Sequence, residues 1–403
     1  MTNGVDLKLT EEMVSQISEG LEEPKWLLEI RLDALSALDR LEFPKVISTP
    51  GRIWTDLADL DFENLIDPLT QRHETLRDEV EGVEILSFSD ALKANENFIQ
   101  ENFGRVVDPK ENYLVGLSTA LFTGGTVVRI PEKTDVEKIV IRTKMESKSL
   151  FDYTLVVAEK SSSATIVTSQ ETEGGIEGEK YYGGIVELIA KENSQIKYGS
   201  LQNLSGDTYK YSMKRGSTDE NAIINWIEGD VGGILSKTTV ETELNGDGSE
   251  TKIVCAFYGH EDQHVDVDAK VWHNAKNTIA DLVTRGVVDD RARSVYEGTQ
   301  FVGKEAWNTS SYQRESTLML SNESEADASP KLIINNHDTS ASHSATVGQI
   351  DKDSLLYMRT RGIPEKTASN MLVKGFFGPI YEEITVDEFR DDLRNQIETR
   401  LRT

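Results

Sequence analysis

The chain has 403 residues and carries 43 Lys and Arg against 70 Asp and Glu, which gives a formal net charge of −27 at pH 7. A field of that sign repels phosphate backbones and anionic lipid, so we expect neither nucleic acid nor a membrane surface as a partner. The length exceeds the ~250–300 residues at which one compact core stops growing, which predicts several domains or an elongated repeat.

Cysteine content and the N-terminus narrow the class further. The one cysteine, Cys255, excludes an intrachain disulfide and an all-thiolate metal site built by this chain alone. Its apolar setting, IVCAF, favours a small buried side chain over a reactive thiolate. The N-terminus has no basic segment followed by an apolar run, and no uncharged apolar stretch is long enough to span a bilayer. These features predict a cytoplasmic protein.

Residues 1–110 have the pattern of a helical domain. Thr10 is placed as the N-cap of a first helix that Gly20 closes, and Pro24 opens the segment EPKWLLEIRLDALSAL. One face of this second helix is predicted to carry Leu28, Leu32, Leu35 and Leu38. The stretch DPLTQRHETLRDEVEG continues the helical pattern, and His73 within it is interpreted as a solvated helix residue.

Residues 111–335 change to short β-branched runs separated by Gly, Asn, Asp and Ser. A recurrent unit combines a polar or small turn with an isoleucine-centred strand: SSSATIV, ENSQIKYG, DENAIINWI, GSETKIVCAF and AKNTIADLV. Its centres are Ile166, Ile196, Ile223, Ile253 and Ile279. Spacing of roughly 30 residues suits stacked coils of two or three strands, each burying its apolar face on the next. This favours a mainly β fold with a parallel β-solenoid core, and an antiparallel sandwich is the competing architecture.

The remaining range, 336–403, is predicted as a C-terminal helical domain with helices from residue 350 onward. Asp351 is the predicted cap of DSLLYMRTR, Gly362 ends that helix and Pro364 starts the next. Thr385 with Glu388 has the form of a capping box. The helix after it is predicted to bury Phe389, Leu393, Ile397 and Leu401.

Two short segments offer candidate chemistry. GTQFVGKE, residues 298–305, nearly matches a phosphate-binding loop, but Glu305 stands where a hydroxyl must hold magnesium, so we reject that function. In the segment GHEDQHVDVDAKVWH, a strand would place His264, Asp266 and Asp268 on one face. That donor set suits a divalent metal, with His264 as a candidate ligand, and it equally suits the solvated face of a half-buried strand.

Several longer stretches resemble one family. They are EPKWLLEIRLDAL, QNLSGDTYKYSMKRG, YGHEDQHVDVDAKVWH, GVVDDRARSVYEGTQFV and SHSATVGQIDKDSLLYMRTRGIP. Together they are similar to the SufB/SufD family, the scaffold subunits of the SUF iron–sulfur cluster assembly system. SHSATVGQ resembles the SufD-type ending, because the SufB type tends to carry an E-H-E-A-like sequence there.

The resemblance implies a right-handed parallel β-helix between N-terminal and C-terminal helical domains. It also implies that this subunit has no enzymatic activity by itself. SufD-type chains pair through the β-helix with a SufB-type subunit, and the C-terminal helices dock a SufC-type ABC ATPase. The implied cargo is a transient iron–sulfur cluster or iron shared with the partner, and the sequence leaves open whether the isolated chain forms a homodimer.

His343 lies in the small-residue run HDTSASHSATVGQID and matches the histidine that the family places at the subunit interface. The resemblance implies a cluster or iron ligand there, opposite a thiolate from the SufB-type chain, and the small neighbours would let the partner approach. Many relatives carry a cysteine two residues earlier, whereas this chain has Ala341. The alternative is a structural histidine satisfied by the backbone.

The ATPase contact is assigned to six residues of the C-terminal helices: Leu355, Met358, Arg359, Arg361, Phe376 and Phe377. Their apolar members are equally suited to the core of that domain, whereas the arginines are more typical of an interface rim. Two other functions stay open on the residues alone. A β-solenoid with aligned carboxylates also suits a polysaccharide lyase or hydrolase, and the same coils suit a structural solenoid protein without a site.

Overall fold

A computed structural model describes residues 9–44, 60–384 and 386–401 of the chain. The helices are α1 (Glu11–Gly20), α2 (Lys25–Ala37), α3 (Phe62–Leu65), α4 (Phe88–Asn102), α5 (Tyr113–Leu121), α6 (Lys352–Thr360), α7 (Glu365–Glu383) and α8 (Asp387–Arg400). The strands up to the middle of the chain are β1 (His73–Arg77), β2 (Glu84–Ser87), β3 (Gly124–Ile130), β4 (Asp135–Met145), β5 (Ser149–Ala158), β6 (Ser163–Thr172), β7 (Lys180–Ala190), β8 (Gln195–Asn203) and β9 (Thr208–Thr218). The others are β10 (Ile223–Asp230), β11 (Leu235–Leu244), β12 (Glu250–Gly259), β13 (His264–His273), β14 (Ile279–Val288), β15 (Arg293–Val302), β16 (Thr309–Met319), β17 (Glu325–Ile334) and β18 (Thr339–Gln349).

The strands build a two-sided parallel solenoid. Sheet A has the order β1-β4-β6-β8-β10-β12-β14-β16-β18, and sheet B has the order β17-β15-β13-β11-β9-β7-β5-β3-β2. Each coil adds one strand to either sheet, and the eight coils from β3/β4 to β17/β18 pair in parallel with their neighbours. The predicted mainly β solenoid with helical flanks is therefore confirmed, and the antiparallel sandwich is wrong.

The turn from sheet B to sheet A recurs in nearly the same form in successive coils. One residue in each of these turns has a left-handed backbone: Lys133, Ser161, Asn193, Asn221, Gly248, Asn277 and Asn308. Asn tolerates this conformation better than most residues do, which explains why Asn recurs in the turns between the strand segments of the sequence. Side-chain amides also bond between coils, as from Asn308 Nδ2 to Asn277 Oδ1 at 2.8 Å.

The isoleucine centres of the sequence repeat are only partly equivalent. Ile166 and Ile253 share one inward-facing row, and Ile196 lies in the adjacent inward row. Ile223 and Ile279 instead lie on the outer face, where Ile279 is 41% exposed, so the five centres of the sequence unit do not mark one structural position. The inward residue in each case is the next one along, since consecutive strand residues point to opposite faces.

The N-terminal helices pack on the outer face of sheet B. Thr10 caps α1 and Pro24 precedes α2, as predicted. The predicted helix around His73 was wrong: this segment forms β1, which pairs antiparallel with β4 at the end of sheet A. Burial alternates along HETLR, as it does in a strand. The sequence of this segment suits a helix and a strand about equally, and pairing with β4 selects the strand.

The C-terminal helices α7 and α8 pack on the outer face of sheet A. Asp351 caps α6, and Gly362, with φ of 82°, follows its end, as predicted. The predicted inner face of α8 is confirmed by the buried Phe389, Leu393 and Ile397, whereas Thr385 lies outside the described residues. No helix among the described residues is long and apolar enough to cross a membrane.

Strands also occur outside the range predicted for the solenoid. β1 and β2 lie within residues 1–110, and β18 lies within residues 336–403. The division of the chain into three domains at residues 110 and 335 stays a prediction.

Candidate functional site

The solenoid ends differently at its two ends. At the N-terminal end, the sheets finish with β1 and β2, antiparallel strands of only 5 and 4 residues. At the C-terminal end, the sheets finish with β17 and β18, of 10 and 11 residues. The β18 sequence, TSASHSATVGQ, contains no acidic or basic residue other than His343, and most of the strand is exposed. A long strand edge without charge or proline is a ready site for pairing with another chain.

Apolar side chains accompany this open edge. Ile333 and Ile334 of β17 are 46% and 44% exposed, and Val347 of β18 is 38% exposed. Ile334 and Val347 stand at positions that face inward in the preceding coils, where the next coil would cover them. The terminal coil therefore presents the cross-section of the core at this end of the described chain.

His343 occupies the corresponding inward position at the middle of β18. Its neighbour in register on β16 is Gln313, and the neighbour of Gln313 on β14 is the core residue Leu282. His343 is exposed because no strand of the described residues covers β18 on its other side. The inward residues on either side of it are Ala341 and Ala345, so the ring stands among methyl groups with space around it.

A polar layer lies directly below this terminal coil. The inward row that reads Trp226, Ile253 and Leu282 continues with Gln313, and the adjacent row through Cys255 and Thr284 continues with Glu315. Gln313 and Glu315 are 1% and 2% exposed. Burial raises the pKa of Glu315 to about 7. The inward row of Gln313 thus changes from apolar to polar immediately before the strand that carries His343, and the row of Glu315 is polar also at Glu228 and Thr284.

The second predicted ligand, His264, lies on the outer face of sheet B. Val265, Val267 and Ala269 face the core as predicted, but the opposite face is not solvated, which corrects that alternative. His264 is 4% exposed, and Asp266 pairs with Lys237 at 2.9 Å. Burial lowers the pKa of His264 to about 4. No group of three His, Cys, Asp or Glu side chains in the described part of the chain is arranged to hold an ion. A metal at His264 stays a prediction.

Cys255 is buried inside the solenoid, as predicted. It neighbours Glu228 in register on β10, and burial together with that carboxylate raises the pKa of the thiol. The near-match to a phosphate loop, residues 298–305, lies on β15 and the turn after it, so it contributes to a coil and its rejection agrees with the fold.

The predicted ATPase contacts fall into two groups. Arg359 and Arg361 of the α6 end are exposed, and Leu355, Met358 and Phe376 are half-buried. Phe377 is fully buried in the core between α7 and sheet A and presents no surface in this chain. Sequence reasoning missed the most exposed apolar residues of these helices, Leu356, Tyr357 and Met371, at 58%, 60% and 49% exposed.

Comparison with known proteins supports one family. Residues 140–376 match the model for the SUF system FeS cluster assembly SufBD core domain. The chain is 28% identical to the iron–sulfur cluster assembly protein SufD of Bacillus subtilis, over the full length of both. It is 26% identical to SufB of the same organism and to a SufBD family protein of Staphylococcus epidermidis, each covering 94% of this chain and 90% of the relative.

Proposed function

From the premise that this chain belongs to the SufBD family of the SUF iron–sulfur cluster assembly system, we propose that it is a non-catalytic, SufD-type scaffold subunit in the cytoplasm. It pairs with a SufB-type subunit through the open end of the solenoid and docks a SufC-type ABC ATPase with its C-terminal helices. Its cargo is a nascent iron–sulfur cluster or iron, shared between the two scaffold subunits.

The observation that carries this proposal is the uncovered terminal coil. The free backbone edges of β17 and β18 can pair with strands of another chain, and the exposed side chains of Ile333, Ile334 and Val347 are stabilised when such a chain covers them. A partner with a solenoid of the same cross-section would extend both sheets and cover these side chains. The partner strand would then lie next to His343, since this histidine is at the middle of β18.

His343 is suited to hold cargo shared across that interface. An imidazole coordinates a metal through a neutral ring nitrogen, so loading is expected to weaken as the pH falls. The described part of this chain contains no group of three His, Cys, Asp or Glu side chains arranged to hold an ion. This finding fits a site that a partner subunit completes with its own ligands, including a thiolate.

The C-terminal helices offer a separate surface for the ATPase. No residue of α6 is buried, and Leu356 and Tyr357 project from it beside Arg359 and Arg361. α6 begins three residues after β18 ends, with Asp351 as its cap. A force that the ATPase exerts on α6 would therefore reach the strand that carries His343 through a connection of only two residues.

The test is co-expression with a SufB-type and a SufC-type partner, followed by anaerobic purification and quantification of subunits, iron and sulfide. We expect His343→Ala to assemble normally and carry little cluster, whereas His337→Ala, an exposed histidine just before β18, should load like the wild type. Equal loading of all three would refute the ligand role of His343.

Two further variants separate the interfaces. Ala345→Lys places a charge on the open end and should abolish pairing with the SufB-type subunit. Leu356→Asp should release the ATPase while the scaffold pair persists. A complex that forms in both variants with unchanged stoichiometry would refute the assigned surfaces.

A further inference from the structure

The polar layer below β18 contains two buried groups whose hydrogen-bonding capacity is unfilled. Glu315 Oε1 accepts a hydrogen bond from Thr317 Oγ1 at 2.5 Å, and the backbone N–H of Thr346 on β18 also interacts with the carboxylate, but the buried Glu315 Oε2 has no partner with full hydrogen-bond geometry within the described chain. The same is true of Gln313 Oε1, while Gln313 Nε2 donates to Tyr296 Oη at 3.3 Å. Buried acceptors without a donor cost free energy and are rare in native proteins.

The fold makes room for these side chains. A Cβ atom at Gly298 would stand 1.7 Å from Gln313 Nε2, so only glycine lets the Gln313 amide cross the interior toward Tyr296. Above Glu315, the residue in register on β18 is Ala345, whose side chain is a single methyl group. In the earlier coils the row of Gln313 is filled by the apolar side chains of Trp226, Ile253 and Leu282, whereas the row of Glu315 also contains Glu228, whose carboxylate pairs with Lys214 at 2.5 Å.

Glu315 and His343 are close enough to share an ion. Both face inward on adjacent parallel strands, offset by two residues, since Glu315 is in register with Ala345. With strands about 4.8 Å apart and a rise of about 3.3 Å per residue, their Cα atoms lie about 8 Å apart. Two side chains of this length can bridge that distance with one metal between them, and Gln313 is in register with His343 on the strand that also carries Glu315.

We propose that Glu315 is a second metal ligand from this chain, which together with His343 and assisted by the Gln313 amide oxygen binds a divalent iron ion at the mouth of the solenoid. This inference rests on the proposed function and extends it. A carboxylate, an imidazole and an amide oxygen are hard-to-borderline donors, which suit a divalent ion such as Fe²⁺ better than they suit a sulfide-bridged cluster. The subunit would therefore bind iron by itself, before sulfide is added.

The experiment is an anaerobic titration of the full chain with Co²⁺, a coloured stand-in for Fe²⁺, followed by visible absorption. We expect one equivalent to bind, and Glu315→Gln and His343→Ala each to weaken binding about tenfold or more. Glu297→Gln is the matched control, because Glu297 is a carboxylate of the preceding strand that faces outward and pairs with Lys331 at 2.9 Å. It should bind Co²⁺ like the wild type.

Three results would overturn the inference: a wild-type chain that binds no Co²⁺, a Glu315→Gln variant that binds as tightly as the wild type, or equal weakening by Glu297→Gln. Thermal unfolding of each variant shows that loss of binding is not loss of fold, and Glu315→Asp, which retains the charge, should keep part of the affinity. Assembly with the SufB-type and SufC-type partners is measured separately. Normal assembly without Co²⁺ binding would refute this inference alone, whereas Co²⁺ binding without assembly would refute the proposed function.

Discussion

Replacement of Glu187 by Gln should loosen the N-terminal helical layer from the solenoid. The Glu187 carboxylate is fully buried on the outer face of β7. It accepts backbone N–H groups of Gly104, Val106 and Val107 at 2.9, 2.7 and 2.8 Å, and the hydroxyl of Tyr153. One side chain thereby fixes the loop that follows α4.

The cost follows from these four donors. Glutamine retains one acceptor oxygen and turns an NH₂ group toward two of the donors, so two hydrogen bonds to a charged group are lost, at about 1.5–3 kcal/mol each. Burial raises the pKa of Glu187 because it penalises the charged form, so removal of the charge returns part of that sum. We expect the free energy of unfolding to fall by about 2–4 kcal/mol.

Urea unfolding followed by circular dichroism measures the change, and limited proteolysis reports whether the region around residues 103–107 becomes accessible first. Glu192→Gln is the control, because Glu192 lies in the turn just after β7 and makes an exposed ion pair with Lys160. That variant should stay within about 1 kcal/mol of the wild type. If Glu187→Gln does the same, the four hydrogen bonds do not hold the layer as argued.

Three other predictions concern stability. Burial lowers the pKa of His273 to about 4, below the value in the unfolded chain, so the contribution of neutral His273 to the free energy of unfolding is complete above pH 6.5 and is lost as the pH falls toward 4. His273→Gln should remove about 2–3 kcal/mol of the pH dependence that urea unfolding measures between pH 7 and pH 4. An unchanged pH dependence would contradict this. Asn221, with φ of 55°, should lose about 1 kcal/mol on replacement by Ala and little on replacement by Gly; equal melting temperatures of the two variants would refute backbone strain as the cause. Arg31 is fully buried, binds Glu23 through two nitrogens at 2.7 and 2.6 Å and donates to the Phe122 carbonyl. Arg31→Lys should therefore lower the free energy of unfolding by about 3 kcal/mol. The same change at the exposed Arg40 should leave the stability measured by calorimetry unaltered.

The architecture could be predicted because it depends on a turn signal that recurs along the sequence. Turn residues such as Asn193, Asn221 and Asn277 recur once per coil, and a fold that stacks coils needs little more than that period. The isoleucine centres do not identify the inward residue of each strand, because apolar residues such as Ile223 and Ile279 also occur on the outer face. Pairing with neighbouring coils decides which of two adjacent residues is inside.

Only part of the candidate site can be predicted from the sequence, for a related reason. The small residues around His343 are visible in the sequence, and the same small residues flank it in the fold. Gln313 and Glu315 lie about one coil earlier, and nothing in their immediate surroundings marks them. Their position below His343 follows from the length of the chain from β16 through β17 to β18, which the loose period does not specify.

The difference between the two solenoid ends also limits what the chain can assemble into. Short antiparallel strands finish the sheets at the N-terminal end, whereas long parallel strands finish them at the C-terminal end. A particle with two adhesive ends polymerises into fibres as its concentration rises, but a particle with one adhesive end stops growing once that end is occupied. Under the proposed function, each chain would therefore offer one end to another solenoid, and the assembly would close at a pair.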